Sequence, residues 1–262
     1  MSYSCVTAPS GLGIWVAYAD RLGGYPNAAE QIRQLGFKVV YPRAGDAGNP
    51  DKHWTQEACK ALLNAGLQVY PWRYSRAGKA NWMAELKGYQ RDLDWGASGI
   101  VVDAEAHWAN AHEEAHLFVD ELLDLQCFVA DAPWSHIAYH PEYPDAFARL
   151  HARMPQLYWT EHNSLGAKRN IAKITEQWQA WEAKKREEEK HYLIKPRWPI
   201  GVTYGNQELR KLGVGKCPGD FYLQDLIDFM NAYQDTNVSL YSLEAASPIA
   251  IGHLRTLASA QK

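Results

Sequence analysis

Residues 99–116, GIVVDAEAHWANAHEEAH, hold two groupings of side chains that could do chemistry. Asp103 and Glu105 stand two apart at the end of an apolar run. In a strand, residues two apart point to the same side. Two neighbouring carboxylates cannot both ionise cheaply, so one keeps its proton to a higher pH. A carboxyl still protonated near neutrality is what a glycosidic oxygen needs as it leaves. Glu105, nearer the strand end, is the expected general acid. Asp103, deeper, is expected to tune it or to orient a substrate amide. The competing structural reading pairs both acids with Arg43 or Arg73 in a rim network.

The second grouping is His112-Glu113-Glu114-Ala115-His116, which fits H-E-x-x-H. On a helix its histidines share a face, as zinc requires. A zinc site also needs a third ligand and an open position, and HEEAHLFVDELL has no G-x-x-H continuation. Ala115, Phe118, Val119 and Leu122 make an apolar stripe on the same segment. A packing helix is therefore the expectation, and a zinc hydrolase a rival to be tested. The glycosidase reading calls for no metal and no cofactor.

A glycosidase commonly uses a second carboxylate across the cleft. Glu161 is the first candidate, with Asp20 and Glu244 behind it. If none serves, the acetamido group of the substrate can act as the nucleophile.

These side chains need a scaffold that gathers strand ends. Apolar runs at 12–19, 37–42, 67–73, 99–105, 136–140, 156–161, 198–204 and 237–243 read as strands. Helix-period segments such as NAAEQIRQLG, TQEACKALLNAG and YLQDLIDFMNAYQD lie between them, the first two stopped by Gly36 and Gly66. Eight strand–helix units in about 250 residues predict an α/β fold, a (β/α)8 barrel of the TIM type. A doubly wound sheet would carry G-x-G-x-x-G after its first strand, and Gly23-Gly24 lacks that spacing. With no linker rich in Pro, Gly or Ser, residues 1–262 are expected to form one domain. AKKREEEK (183–190) reads as the solvated end of the sixth helix.

In such a barrel, chemistry collects where strands end. The expected substrate-binding set there is Asp20, Arg43, Trp72, Arg73, Tyr74, Trp108, Tyr139, Trp159, Tyr204 and Glu244. Asp46, His107, His140, His162 and Asn206 lie nearby in the chain. The aromatic members could be sugar-stacking platforms or buried seals of the barrel top.

Composition narrows the class. Of 262 residues, 47% are apolar and 22% charged, with a net charge of −3 and no basic cluster, which argues against a nucleic-acid partner. No run approaches the roughly 20 apolar residues of a membrane span. MSYSCVTAPSGLG lacks the features of a signal peptide. Synthesis in the cytoplasm is expected, with lysis or a holin-type route as the way to a cell wall. Cys5, Cys59, Cys127 and Cys217 are scattered and expected to be reduced. There are 11 Trp and 15 Tyr but only 6 Phe, an excess suited to stacking on sugar rings. Nucleophile-elbow and phosphate-loop motifs are missing from the sequence.

LQVYPWRY followed by a helix and then GIVVDAE resembles the third and fourth strands of glycoside hydrolase family 25 lysozymes, over residues 67–108. The resemblance implies an irregular (β/α) barrel whose D-x-E motif ends strand four, with Glu105 as catalytic acid and Asp103 as its partner. It also implies a peptidoglycan substrate, cleaved between muramic acid and glucosamine, as in phage endolysins and bacterial autolysins. Those lysozymes usually place an Asp inside strand one, whereas here it comes only at Asp20; late in the chain LYSLEAASP stands where they tend to carry another. The D-x-x-D-x-D-x-E of family 18 chitinases is absent. The rival without catalysis is a barrel that binds glycan or protein in a phage or cell-surface assembly.

Overall fold

The computed structural model describes residues 7–140, 142–160, 166–188, 194–213 and 219–260. Its strands are β1 (Gly13–Val16), β2 (Val39–Asp46), β3 (Asn49–Pro50), β4 (Gln68–Val69), β5 (Trp72–Ser75), β6 (Gly99–Ala104), β7 (Phe128–Asp131), β8 (Ala152–Arg153), β9 (Ile200–Val202) and β10 (Ser239–Tyr241). Its helices are α1 (Tyr25–Gln34), α2 (Gln56–Asn64), α3 (Lys79–Asp94), α4 (His112–Asp124), α5 (Gly166–Glu188), α6 (Asn206–Leu212), α7 (Leu223–Ala232) and α8 (Pro248–Ala260).

The sheet runs β8-β7-β6-β5-β2-β1-β10-β9, with β4 also on β2. Every pairing is parallel except the β2–β3 hairpin. β4 and β5 are one stave interrupted at Pro71, which has no N–H to give the ladder. The two ends of the sheet meet: Trp198 N–H donates to the Arg153 carbonyl (2.7 Å) and Leu157 N–H to that of Ile200 (2.8 Å). The chain is thus an α/β protein built as a (β/α)8 barrel.

Trp15, Tyr41, Tyr70, Trp72, Val101, Phe128, Met154 and Ile200 fill the barrel interior. Trp15 stacks on Tyr41 at 4.9 Å and donates to Ser239 Oγ at 2.8 Å. A second apolar layer, including Ile14, Val40, Val102 and Val129, lies between sheet and helices. Both faces of the sheet are therefore buried, as parallel strands require. Gly36 and Gly66 follow α1 and α2 with φ of +80° and +78°, the left-handed stop their positions predict. Cys59 and Cys127 are free thiols. Among the described residues no helix is long and apolar enough to cross a membrane.

Two strand expectations are corrected. The fifth stave is Phe128–Asp131, not 136–140; Ile137–Tyr139 is a 3-10 turn. The apolar run 128–131 is wholly buried, whereas the alternation in 136–140 comes from a turn that buries Ile137 and leaves Tyr139 61% exposed. The sixth stave pairs at Ala152–Arg153 and touches its neighbours again at Gln156, earlier than the expected 156–161.

On α3, Gly88 lets a buried arginine cross the helix. A Cβ there would meet Arg73 Cζ at 2.7 Å and Nη2 at 2.9 Å. That guanidinium is held by Asp92, Nη2 to Oδ2 2.6 Å, and cannot swing aside. An exposed mid-helix Gly→Ala change stabilises by roughly 0.5–1 kcal/mol. Here the sign reverses: Gly88→Ala is expected to destabilise by about 1–3 kcal/mol through overpacking, read from urea unfolding.

Candidate active site

The site grows from register. Asp46 on β2, Tyr74 on β5 and Asp103 on β6 are cross-strand neighbours at the C-terminal ends of their strands. Alternation puts Val101 and Asp103 on the inner side of β6 and Val102 and Ala104 on the outer. Glu105 follows at the end of the strand, half-buried, while Asp103 is buried.

The two acids share one donor. Gln156 Nε2 lies 2.9 Å from Asp103 Oδ1, 2.9 Å from Glu105 Oε1 and 3.1 Å from the Ala132 carbonyl oxygen. The carbonyl can only accept, so it fixes the nitrogen of Gln156, not its oxygen, toward the pair. Burial, then the Glu105 charge, push the Asp103 carboxyl well above the usual carboxylate range, and Arg43 and the Gln156 donor oppose this only in part. The pair consequently keeps one proton where isolated carboxyls have none.

The rim beside it is cationic and aromatic. Arg76 grips Asp46 with two bonds, Nε to Oδ1 2.6 Å and Nη2 to Oδ2 3.0 Å. Its Nη1 lies 3.1 Å from His107 Nε2. Arginine has only protons to offer, so this His107 nitrogen is the accepting one. Burial and the charges of Glu105 and Asp103 raise the Tyr74 hydroxyl above its ordinary value, keeping it a donor beside the pair. Tyr158, two residues beyond Gln156, stacks on Tyr241 at 5.3 Å, a half-buried aromatic pair at the strand ends.

The other expected site residues divide. Arg43 lies with its guanidinium 5.8 Å from the Trp72 ring and close enough to Asp103 to bias it. Trp72 itself is in the barrel interior, 6% exposed. Arg73 faces outward and is buried against Asp92, because Trp72 and Tyr74 take the inner side. Trp108 is buried, stacked on Phe118 at 5.2 Å, and Trp159 is buried against Phe229, so neither offers a face to a sugar. Tyr139 is not at a strand end; on its 3-10 turn it accepts from Lys173 Nζ at 2.7 Å. Tyr204 is buried, with its ring edge-on to Tyr241. Asp20 is exposed on the turn after β1. Glu244 accepts from Ala17 N–H at 3.2 Å, tying the loop after β10 to the residue that follows β1. Glu161 lies outside the described residues, as does His162.

His112 and His116 are exposed on the outer face of α4, and the buried stripe is Ala115, Phe118, Val119 and Leu122. Glu114 Oε1 accepts from Trp82 Nε1 (2.7 Å) and Gly78 N–H (2.9 Å). Among the described residues no group of three or more His, Cys, Asp or Glu is arranged to hold a metal ion.

Gln156, Arg76, Tyr158 and Tyr241 escaped the sequence reading of the site. Only Gln156 had a positional signal, at the start of an apolar run taken as a strand beginning rather than a strand end. Gln156→Leu removes the shared donor. Should the pair carry catalysis, loss of a hydrogen bond to a charged group, about 1.5–3 kcal/mol, lowers kcat roughly 10- to 100-fold. Asp103 would then titrate higher still, since the lost bond favoured its ionised form. A pH–rate profile of the variant checks both.

No protein-family model matches the sequence, and no curated protein matches it. Solved structures do. Active domain 2 of a chitinase from Pyrococcus furiosus superposes with a TM-score of 0.63 at 12% identity, covering 97% of each chain. A class V chitinase from Pseudomonas fluorescens Pf-5 gives 0.60 at 8% identity, covering 95% of this chain and 99% of the other. The shared object is the barrel. A proposed deoxyribose-phosphate aldolase from Toxoplasma gondii ME49 also superposes, at 0.52 and 10% identity, over 95% of this chain and 92% of its own. At such identities the likeness is one of fold, and the chemistry has to be argued from the side chains.

Proposed function

We propose that this chain is a glycoside hydrolase acting on an amino-sugar polymer, with peptidoglycan as the substrate. The observation that carries the reading is the Asp103–Glu105 pair, bridged by one amide at the C-terminal end of β6. In the free protein burial, then the Glu105 charge, favour the protonated form of Asp103. A sugar laid over the strand ends strips water from Glu105, the more exposed member, and makes its carboxylate the costlier anion. The proton then passes outward to Glu105, which donates it to the glycosidic oxygen.

Asp103, once ionised, is placed to accept from a substrate amide N–H and so orient an acetamido group as the internal nucleophile. Tyr74 stands close enough to both acids to feel their charges and offers a hydroxyl donor to the same substrate. Glu244 turns one oxygen to the Ala17 N–H just past β1, and burial raises its carboxyl above the ordinary value. That disfavours the ionised form a nucleophile needs and favours nucleophilic help from the substrate. That two barrels of similar fold are chitinases agrees with an amino-sugar polymer, and the likeness of residues 67–108 to family 25 lysozymes supports peptidoglycan within that class.

The test is release of reducing ends from purified peptidoglycan and, in parallel, from chitin. Borohydride reduction of the new ends identifies which sugar was freed. Reduced muramic acid supports the peptidoglycan reading; release from chitin alone moves the substrate to a glucosamine polymer. Release from neither substrate by folded protein would overturn the hydrolase reading and favour the glycan-binding barrel.

A further inference from the structure

Behind the carboxylate pair, on the outer face of the sheet, a buried chain of side chains takes no part in the chemistry above. Trp108 Nε1 donates to Ser75 Oγ at 3.1 Å, and the Ser75 hydroxyl donates to Glu85 Oε2 at 2.9 Å. Glu85 Oε1 lies 3.0 Å from the Tyr89 phenolic oxygen, which lies 2.9 Å from the Val101 carbonyl oxygen. Ser75, Glu85, Tyr89 and Trp108 are all 0% exposed.

The two ends set the direction of this chain. An indole N–H can only donate and a carbonyl can only accept. Ser75 spends its one proton on Glu85. Tyr89 also has one proton, and serving Val101 leaves its oxygen free to accept. The Glu85–Tyr89 link then needs a proton from Glu85 itself. An ionised Glu85 would leave two oxygens facing each other without a proton at one of these links, where water does not reach.

We infer that Glu85 is a positioning residue: as a neutral acid it completes a one-way chain of hydrogen bonds that clamps β6 and the turn after it around Asp103 and Glu105. Val101 lies two residues before Asp103, and Trp108 three after Glu105. Ser75 is the cross-strand partner of Ala104, the residue between the two acids. The clamp therefore grips the strand end before, between and beyond the pair.

The surroundings agree. Burial pushes Glu85 up to about 8, against the Ser75 hydrogen bond and the Arg73 charge; only a Tyr89 hydroxyl turned from Val101 to donate to Glu85 would add to the lowering. Arg73, from β5, is itself taken by Asp92 of α3. Asp46, from β2, adds to the rise, and Glu85 and Asp103 of β6 repel one another when charged. The folded state holds a proton that the unfolded chain releases near the ordinary glutamate value of 4.5. Stability contributed by this group falls as pH rises from about 4.5 to about 8 and is level beyond.

Glutamine at this position keeps the wiring at every pH, its oxygen accepting from Ser75 and its nitrogen donating to Tyr89. The experiment is backbone hydrogen exchange over residues 99–108, corrected for intrinsic rates, at pH 7 and pH 9 in wild type, Glu85→Gln and Glu85→Leu. Wild type is expected to be protected at pH 7 and to lose about tenfold of that protection at pH 9, one hydrogen bond's worth. Glu85→Gln should be protected at both, and Glu85→Leu, if it folds, at neither. Equal protection of wild type at the two pH values, or a glutamine variant that tracks it, would overturn the inference.

The effect on catalysis rests on the hydrolase reading. There, kcat of wild type should decline on the alkaline side near the Glu85 value of about 8, with KM unchanged, and Glu85→Gln should remove that limb. The expected exchange pattern in a protein that cleaves no glycan would retain the clamp and reject the hydrolase. An active enzyme whose exchange ignores Glu85 would do the reverse.

Discussion

Glu105→Gln is expected to lower reducing-end release from peptidoglycan by about 10²- to 10⁴-fold, the usual range for a lost general acid. The substitution is nearly isosteric. Its amide oxygen can still accept from Gln156 Nε2, which holds Glu105 Oε1 at 2.9 Å in the wild type. What disappears is the proton at the strand end and the negative charge beside Asp103. That charge is the second cause of Asp103's raised pKa, after burial. Asp103 should therefore titrate lower in the variant, and residual activity should move toward acid pH. Thermal unfolding is the check that the variant is folded. Equal release by wild type and variant would remove Glu105 from the role of acid and leave Glu161 and Asp20 to be tested in the same assay.

The largest loss of stability is expected at a residue far less conspicuous in the sequence. Asp92 accepts from Arg73 Nη2 at 2.6 Å and from Arg91 Nη2 at 3.1 Å, and the Arg73 and Asp92 side chains are 1% and 0% exposed. Asp92→Ala leaves a guanidinium buried between β5 and α3 without its carboxylate. Breaking one side of a buried pair costs about 3–5 kcal/mol, because the partner's desolvation is no longer offset. Replacing both members, Arg73→Met with Asp92→Leu, should recover most of that loss. Urea unfolding of the single and double variants measures it. A single-variant loss below about 1 kcal/mol would mean that the site relaxes or admits water to the arginine. Arg73 is thereby a strut of the scaffold and not a ligand of the substrate.

The case of Arg73 shows where sequence stops. Alternation along Trp72, Arg73 and Tyr74 says that the arginine lies opposite the other two. It does not say which side is the mouth, because a parallel barrel buries both faces of its sheet. Trp108 and Trp159 failed as platforms for the same reason: a tryptophan near a strand end reads alike whether it meets a sugar or, as here, Phe118 and Phe229. Local pattern also chose the wrong fifth strand, since a turn that buries one side of Ile137 mimics the alternation of a strand.

Residue order and local chemistry alone determined the alternating strands and helices, the glycine stops at 36 and 66, and the shared side of Asp103 and Glu105. Each depends on neighbours within one turn or one strand, and backbone geometry transmits it directly. Closure of the barrel decided the rest. Gln156 is 53 residues from Asp103 and 51 from Glu105, yet it donates to both. Glu85 sits mid-helix, where a glutamate ordinarily faces water, and it is buried because Ser75, Tyr89 and the back of β6 close over it. A carboxyl's proton depends on burial and on charges brought from other strands and helices; the sequence names the acids, and the folded barrel sets which of them stays protonated.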